Sequence, residues 1–593
     1  MQPAAGRGRP ARRGEVAHSD VIVIGSGPTG LATALMLARH GLDVTVVTRE
    51  TWVADSPRAH ITNQRTMEVL RAVGLEPAVR AQASPRGTMA NQVVATALTG
   101  TELGRCWSWG NNPGRQDEYL TASPAEGCDI PQDRLEPILL GEAARLGCRI
   151  RFQTSFTGIE QNADGVRVHV VDGLTGRAET LSAAYAVAAD GGQSPVAKAL
   201  GIPFDGEAGI APAMNISFTA DLSHLVAHRP GSLYEIIQNR PEGPTRAMIR
   251  MVRPWHEWSA SLVYLGGRTS ALTAEEAEEE LRRAIGDDSV QVTVTGLYPW
   301  RINRLVASRY GEGRVFLAGD AAHRHPPTNG LGANTCIQDG FNLAWKLALV
   351  VKGLAGPGLL DSYDAERRPV GTRIVNRAVD SWALGMGLLP ALGLDPEASY
   401  EEREERFAEL GADSDAGEAR RRALRAVLDE ESYIFEAHGV EMNQVYASSA
   451  VVPDGTGLVY ERDEQLYIQP TSHPGARIPH AWVGDGTRTV STLDLVGGER
   501  FTLVTRDRGA AWAAAAAIVA AEFDIEIATV AIGHAGDAQD LYGDFDRRGG
   551  IGEDGCLLVR PDQHIALRSA GAAADHAAVL RDALARILDR PAG

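Results

Sequence analysis

Long apolar runs are missing from this chain of 593 residues. The longest, Ala510 to Ala521, is about half the roughly 20 residues that a membrane helix needs, so it reads as a buried or interfacial helix and no membrane partner is expected. Cysteine is scarce: Cys106, Cys128, Cys148, Cys336 and Cys556 contain no CxxC pair, and an odd count sets no disulfide framework. Dithiol redox chemistry is thereby excluded, and a reducing cytoplasm is the expected compartment. Residues 1–18 place Arg7, Arg9, Arg12 and Arg13 among Gly, Ala and Pro without an apolar segment, which predicts a disordered tail rather than a secretory signal. A net charge of -18 argues against nucleic acid as a partner. His323 and His325 have no third ligand at suitable spacing, so no metal site is predicted. Internal repeats are absent, and the length implies three or four domains.

What is present is glycine in three segments: GSGPTG at Gly25 to Gly30, ADGGQS at Ala189 to Ser194, and AGDAAHRHPPTNGLGAN at Ala318 to Asn334. The first follows Asp20 to Ile24, an apolar β-branched run that predicts a buried parallel strand, and precedes an Ala/Leu-rich helix over Leu31 to His40. In that strand, turn, helix setting Gly25 allows the tight turn, Gly27 lets a pyrophosphate approach the backbone and Gly30 lets helix and strand pack closely. The acidic residue expected after the next strand, Asp43 to Val47, is not in place: Thr48 follows and Glu50 stands two positions late, so this motif leaves FAD and NAD open.

The third segment decides between them. Arg314 to Leu317 reads as a strand ending in Gly319-Asp320, and a loop with Pro326, Pro327, Gly330 and Gly332 leads into a helix with apolar positions Ile337, Phe341, Ala344, Ala348 and Val351, stopped by Gly353. A helix N-terminus behind such a loop presents free N–H groups and a positive dipole end, suited to an isoalloxazine edge that becomes negative on reduction.

With these residues the chain resembles the single-component FAD-dependent aromatic hydroxylases, and within them the phenol hydroxylase branch. The resemblance rests on Gly25 to Gly30, Arg58 to Arg71, Pro131 to Leu139, Asp190 to Val196, Met214 to Pro230, Arg250 to Trp258, Gly319 to Thr335 and Asp361 to Gly371. It implies that Gly25, Gly27, Pro28, Thr29 and Gly30 hold the ADP moiety, that Arg58 and Gln132 contact FAD from flanking loops, and that Asp190 with Gly191 lies near the pyrophosphate and serves both FAD and NAD(P)H. Gly319 and Asp320 would meet the ribityl chain, with Pro327 beside the flavin at the reacting centre, and Gly330, Leu331, Gly332, Ala333 and Asn334 at the pyrimidine edge. The family's acidic residue five positions before the arginine matching Arg65 is replaced here by His60. An imidazole with an ordinary pKa near 6.5 can take the phenol proton directly or through water.

The resemblance further implies non-covalent FAD, NADPH or NADH as co-substrate, and O2. A flavin C4a-hydroperoxide would deliver one oxygen ortho or para to the hydroxyl of a phenol, chlorinated phenols included. Two alternatives stay open: the same chemistry on a polycyclic intermediate of secondary metabolism, and a flavin protein that binds an aromatic ligand without oxidising it. A flavin halogenase is disfavoured because no WxWxIP segment is present.

The expected architecture is α/β. A Rossmann-like FAD-binding domain spans 19–202 and 296–380, and a substrate domain spans 203–295, where the alternation in Ala247 to Val252 and Ser259 to Tyr264 predicts a half-buried antiparallel sheet. Tyr234, Trp255 and Trp258 are its pocket candidates. Residues 381–449 form a helical linker, with Glu/Arg-rich solvated helices over 398–431. Residues 450–593 resemble a thioredoxin-like domain without its thiols, whose expected role is assembly of a homodimer.

Overall fold

A computed structural model describes residues 18–263 and 272–591. The tail expected over 1–18 lies, apart from His18, outside the described residues, as does Tyr264.

β-branched apolar runs set the first sheet. Val315–Leu317, Ala178–Ala188, His18–Ile24, Val44–Val47 and Arg149–Arg151 lie side by side in that order and pair in parallel. Helix Pro28–Arg39, buried from Thr29 through Leu37, packs between Gln132–Arg145 and Gly332–Val351. A helix enclosed in this way can be apolar on every side, as this one is.

The second sheet is mixed and mainly antiparallel. Its order is His323–Arg324, Thr293–Ala307, Phe204–Thr219, Glu257–Val263, Thr245–Arg253, Leu233–Gln238, Asn91–Ala95, Glu102–Trp107. Three of these strands come from outside 203–295: Asn91–Ala95 pairs with Leu233–Gln238 and Glu102–Trp107 with Asn91–Ala95, while His323–Arg324 pairs at the other edge with Thr293–Ala307. Side chains alternate between its faces. One set, including Tyr234, Ile249, Met251 and Trp258, forms a closed core with Ala277 and Leu281 of helix Ala274–Ile285. The other carries Glu235, Arg246, Met248, Arg250, Ser259 and Ser261.

The helices expected to be solvated are only half so. Tyr400–Ala408 buries Arg403, and Asp415–Phe435 lays Leu424 and Leu428 against Glu102–Trp107. Glu431 on the latter is fully buried beside Glu235, with the Gln92 amide donating to both (2.5 Å to Glu235 and 3.4 Å to Glu431). Burial and the neighbouring Glu235 push the Glu431 carboxyl up to about 9, so it is protonated at neutral pH.

The C-terminal unit has a four-stranded sheet in the order Ile527–Ala531, Phe501–Thr505, Cys556–Val559, Ile565–Ser569, flanked by helices Ala510–Phe523 and His576–Ile587. Its core continues into Trp345 and Leu359 of the preceding region. Below that seam Glu366 accepts from Lys346 (2.7 Å) and Arg560 (2.6 Å), and Arg560 also reaches Asp562 (2.5 Å), all at 0–1% side-chain exposure. The unit is thus built into the chain's own interior. All five cysteines are free and buried. Replacing Arg560 by Met should destabilise the protein by about 3 to 5 kcal/mol, because two buried carboxylates are left with one cation. Denaturant unfolding followed by tryptophan fluorescence checks this, and an unchanged midpoint would contradict it.

Candidate functional site

Three of the parallel strands end at one level, with Ile24, Ala188 and Leu317 in register. Backbone hydrogen bonds carry that level into the turns: Gly25 N–H donates to Val47 O (2.8 Å), Ala189 N–H to Ile24 O (2.8 Å) and Ala318 N–H to Ala188 O (2.9 Å). All three glycine segments therefore lie along one sheet edge, where open α/β sheets bind ligands.

The glycines divide into two kinds. Gly25, at φ +108°, would drive a Cβ into the Ala189 carbonyl, and Gly30 would drive one into the Gly25 carbonyl, so the chain's own packing requires both. A Cβ on Gly27 would meet only Glu136 Oε1, at 3.9 Å, and one on Gly332 only the His325 ring, at 3.6 Å. Space at those two positions is kept for something other than protein, which fits a dinucleotide whose phosphates and ring edge approach the backbone.

Asp320 is exposed beside this edge, and its Oδ1 meets only the Cys336 thiol at 3.6 Å, which leaves the carboxylate open to hydroxyl donors. Asp190 differs. Its oxygens accept from Ser194 Oγ (2.7 Å) and Val196 N–H (3.0 Å), so it caps helix Pro195–Ala199, and burial raises its pKa. Gly191, at φ +81°, has open space around it. Arg58 is exposed. Gln132 donates to Glu136 Oε1 (2.6 Å), and Glu136 Oε2 accepts from Ala54 N–H (2.5 Å), so both loops meet on a buried carboxyl beneath Gly27 that sequence reasoning missed.

The loop Pro327 to Asn334 is held from below. His323 Nε2 and Gly319 N–H both meet Asp339 Oδ2 (2.9 and 3.0 Å), while Arg367 binds Asp339 Oδ1 (2.7 Å). Among the described residues no cluster suited to a metal occurs. Pro327 is exposed, and helix Gly332–Val351 opens with Gly332 and Ala333 half-exposed and Leu331 buried. Asn334 is a clamp: its amide donates to Ile61 O (2.7 Å) and Gly330 O (2.6 Å), and its Oδ1 accepts from Asn63 N–H (2.9 Å). The strand after His60 is thus fixed against Gly330, whose Cβ position is 3.0 Å from Ile61 and 3.3 Å from Trp109.

His60 is buried, with Nδ1 3.1 Å from Asp129 Oδ1, while Asp129 Oδ2 accepts from Arg250 Nη2 (2.9 Å). Burial first and then the Arg250 charge lower the His60 pKa, outweighing the opposing pull of Asp129. Burial alone would raise Asp129, but Arg250 and His60 hold its carboxyl below the ordinary range. An ionised carboxylate only accepts, so the proton lies on His60 Nδ1 and Nε2 keeps its lone pair. His60 Nε2 and Arg250 Nε are both buried without a hydrogen-bond partner. A third group meeting them would satisfy an acceptor and a donor.

Two of the aromatic pocket candidates lie in a core. Tyr234 and Trp258 have the wrong parity, pointing into the closed core. The Tyr234 hydroxyl is engaged by Gly231 N–H and Arg229 O, and Trp258 Nε1–H donates to Ala220 O and Trp255 O. Trp255 stacks on Trp258, 6.4 Å between centroids, on the same side. The aromatic walls near Gly330 are instead Trp109, which donates to Ser232 Oγ (3.1 Å), and Phe435, edge-on to it at 5.0 Å. Asn329, at φ +64°, ties the loop to this wall by donating to Ile434 O (2.7 Å).

Comparison with known proteins agrees with this layout. Residues 18–378 match the family described as FAD binding domain, and residues 471–591 match aromatic-ring hydroxylase, C-terminal. The chain is 43% identical to 2,4-dichlorophenol 6-monooxygenase of Delftia acidovorans, covering 97% of this chain and 98% of that one. It is 42% identical to phenol 2-monooxygenase of a Pseudomonas species, covering 96% and 93%. The flavin-dependent monooxygenase PieE, solved with FAD and substrate, superposes with a TM-score of 0.92 at 41% identity, covering 97% and 99%.

The two kinds of glycine give an expected contrast. Gly30→Ala should destabilise the protein by about 1 to 3 kcal/mol or more through overpacking. Gly27→Ala should change stability by about 1 kcal/mol or less yet weaken FAD retention. Thermal unfolding of the apoprotein and equilibrium dialysis with FAD separate the two, and equal effects on folding would refute the division. Asp320→Ala should cost about 1.5 to 3 kcal/mol of FAD affinity, the scale of a charge-assisted hydrogen bond. Unaltered dialysis of that variant would remove Asp320 from the site.

Proposed function

This chain belongs to the FAD-dependent aromatic-ring hydroxylases, and from that premise we propose that it hydroxylates a phenol, chlorinated phenols included, ortho or para to the hydroxyl. The observation that carries the reading is the pair of unpartnered buried atoms, His60 Nε2 and Arg250 Nε, whose side chains share one carboxylate beside the flavin loop. A phenolic oxygen donating to His60 Nε2 and accepting from Arg250 Nε–H would satisfy both.

Bound FAD supplies the oxygen chemistry, using NAD(P)H as reductant and O2 as oxidant. The residues supply the rest. Gly27 and Gly332 leave room for a pyrophosphate and a ring edge, Asp320 would accept from the ribityl hydroxyls, and the helix N-terminus at Gly332 and Ala333 would stabilise the edge that gains negative charge. His60 Nε2 takes the phenol proton while Asp129 holds the ring in the required tautomer. Arg250 stabilises the phenolate, whose ring carbons ortho and para to oxygen gain the electron density needed for attack. Trp109 and Phe435 exclude water from the site. We further assign residues 450–593 to a thioredoxin-like unit that assembles a homodimer.

His60→Ala should keep FAD and lose about 10²-fold in hydroxylation at neutral pH, with rate returning as the pH approaches the phenol's own pKa near 10. The sign for the parent enzyme follows from its lowered pKa: the base is free at neutral pH, and kcat/KM should fall only below about 6.5, as His60 protonates. Asp129→Asn, acting through His60, should reduce kcat, because an amide donating to Nδ1 moves the imidazole proton to Nε2. NAD(P)H consumption with product mass, across pH, is the measurement; wild-type rates in His60→Ala at neutral pH would reject the assignment.

A further inference from the structure

A cavity of about 170 Å³ lies between helix Asp361–Gly385 and the segment 440–447, with Pro369, Val370, Ile374 and Val440 as its apolar wall. An apolar cavity of about 150 Å³ is enough to hold benzene. Four charged or polar residues also line it, Glu366, Arg373, Gln444 and Tyr446, of which Gln444 accepts from Arg367 (2.8 Å) and donates to Gln338 (2.8 Å).

The charges there do not balance. Glu366 is neutralised between Lys346 and Arg560, with Asp562 as the second anion of that cluster. Arg373 is different. Its two Nη groups donate to backbone carbonyls, Asn443 O (3.3 Å) and Gly439 O (2.8 Å), and among the described residues no carboxylate lies within ion-pair distance of it. Glu464 acts on it only from farther away. Its Nε–H is buried and has no acceptor. Tyr446 accepts from Arg367 Nη1 (3.0 Å), which leaves its own hydroxyl proton to donate. A desolvated guanidinium with an unused N–H, beside an O–H donor and an apolar wall of ring size, calls for an acceptor that carries negative charge and an apolar body.

We propose that this cavity is a second ligand site, separate from the flavin site, which binds a one-ring organic anion, an aromatic carboxylate or phenolate, through Arg373 and Tyr446. Ile374 and Val440, which line it, also pack against Leu331 of the flavin loop. Occupancy is therefore transmitted to the loop that carries the pyrimidine edge, and the ligand acts as an effector. The proposal does not depend on which compound is oxidised.

Isothermal calorimetry of benzoate with the FAD-loaded full-length protein tests it without turnover, so a failure of the phenol reading leaves this readout untouched. The wild type should bind benzoate. Arg373→Met should weaken binding by about tenfold or more, the scale of a lost charge-assisted hydrogen bond. Val440→Trp, which fills the cavity and keeps the arginine, should abolish it, and Arg250→Met should leave it unchanged. FAD content and thermal unfolding report whether each variant folds; if Arg373→Met does not, Val440→Trp decides. No binding heat at millimolar benzoate, binding indifferent to a folded Arg373→Met or Val440→Trp variant, or binding removed by Arg250→Met alone would overturn the proposal.

Discussion

The register of three parallel strands is the constraint from which the rest of the site follows. Because Ile24, Ala188 and Leu317 are level, the turns beginning at Gly25, Ala189 and Ala318 open along one edge, although they are separated by more than a hundred residues of chain. The turns are then tight enough that Gly25 (φ +108°) and Gly319 (φ +63°) need conformations that side chains rarely adopt. Asp320 and the start of helix Gly332–Val351 take their positions from that level. A slip of one residue in any of the strands would separate the carboxylate from the helix N-terminus.

A second layer of interactions converts position into chemistry. Asp339 joins His323, Gly319 and Arg367 below the loop, and Asn334 joins the loop to the segment that bears His60. Asp129 then ties His60, from the parallel-sheet region, to Arg250, on the antiparallel sheet. In that buried group one anion faces one cation, so a further charge on the imidazole would be unbalanced as well as desolvated. Burial and Arg250 together win over Asp129, and His60 stays neutral with a free lone pair.

Local signals in the sequence were legible and contacts across the chain were not. The strand, turn, helix unit at Gly25 and the elements of the C-terminal unit, such as Phe501–Thr505 and Ala510–Phe523, follow from β-branching and helical composition, which are properties of neighbouring residues. Alternation in 247–252 and 259–263 predicts a two-faced sheet but cannot say which face looks toward the flavin loop, and so Tyr234 and Trp258, two of the aromatic candidates of that region, fall on the closed side. Asp129 lies 69 residues from His60 and meets it through two-residue strands, Ile61–Thr62 and Cys128–Asp129, too short to show any periodicity. Asp190, which the resemblance puts near the pyrophosphate, also accepts from Ser194 Oγ and Val196 N–H, a local cap set by residues that follow it directly.

Parity also sets which side chains share a face with Arg250. Arg250 pairs with Ser259, which pairs with Ser217, so these three side chains stand in one row across the site-facing side of the sheet. The next row holds Met248, Ser261 and Asn215, and Asn215 accepts from Trp300 Nε1–H (3.0 Å). A phenol held by Arg250 as proposed would extend along or across these rows. Small hydroxyl side chains would tolerate a ring substituent that bulkier ones would exclude, whereas Met248 packs against the apolar cluster of Leu388 and Leu428. The sheet's alternation, which keeps Tyr234 and Trp258 in the core, is what leaves these short residues on the face that bears Arg250.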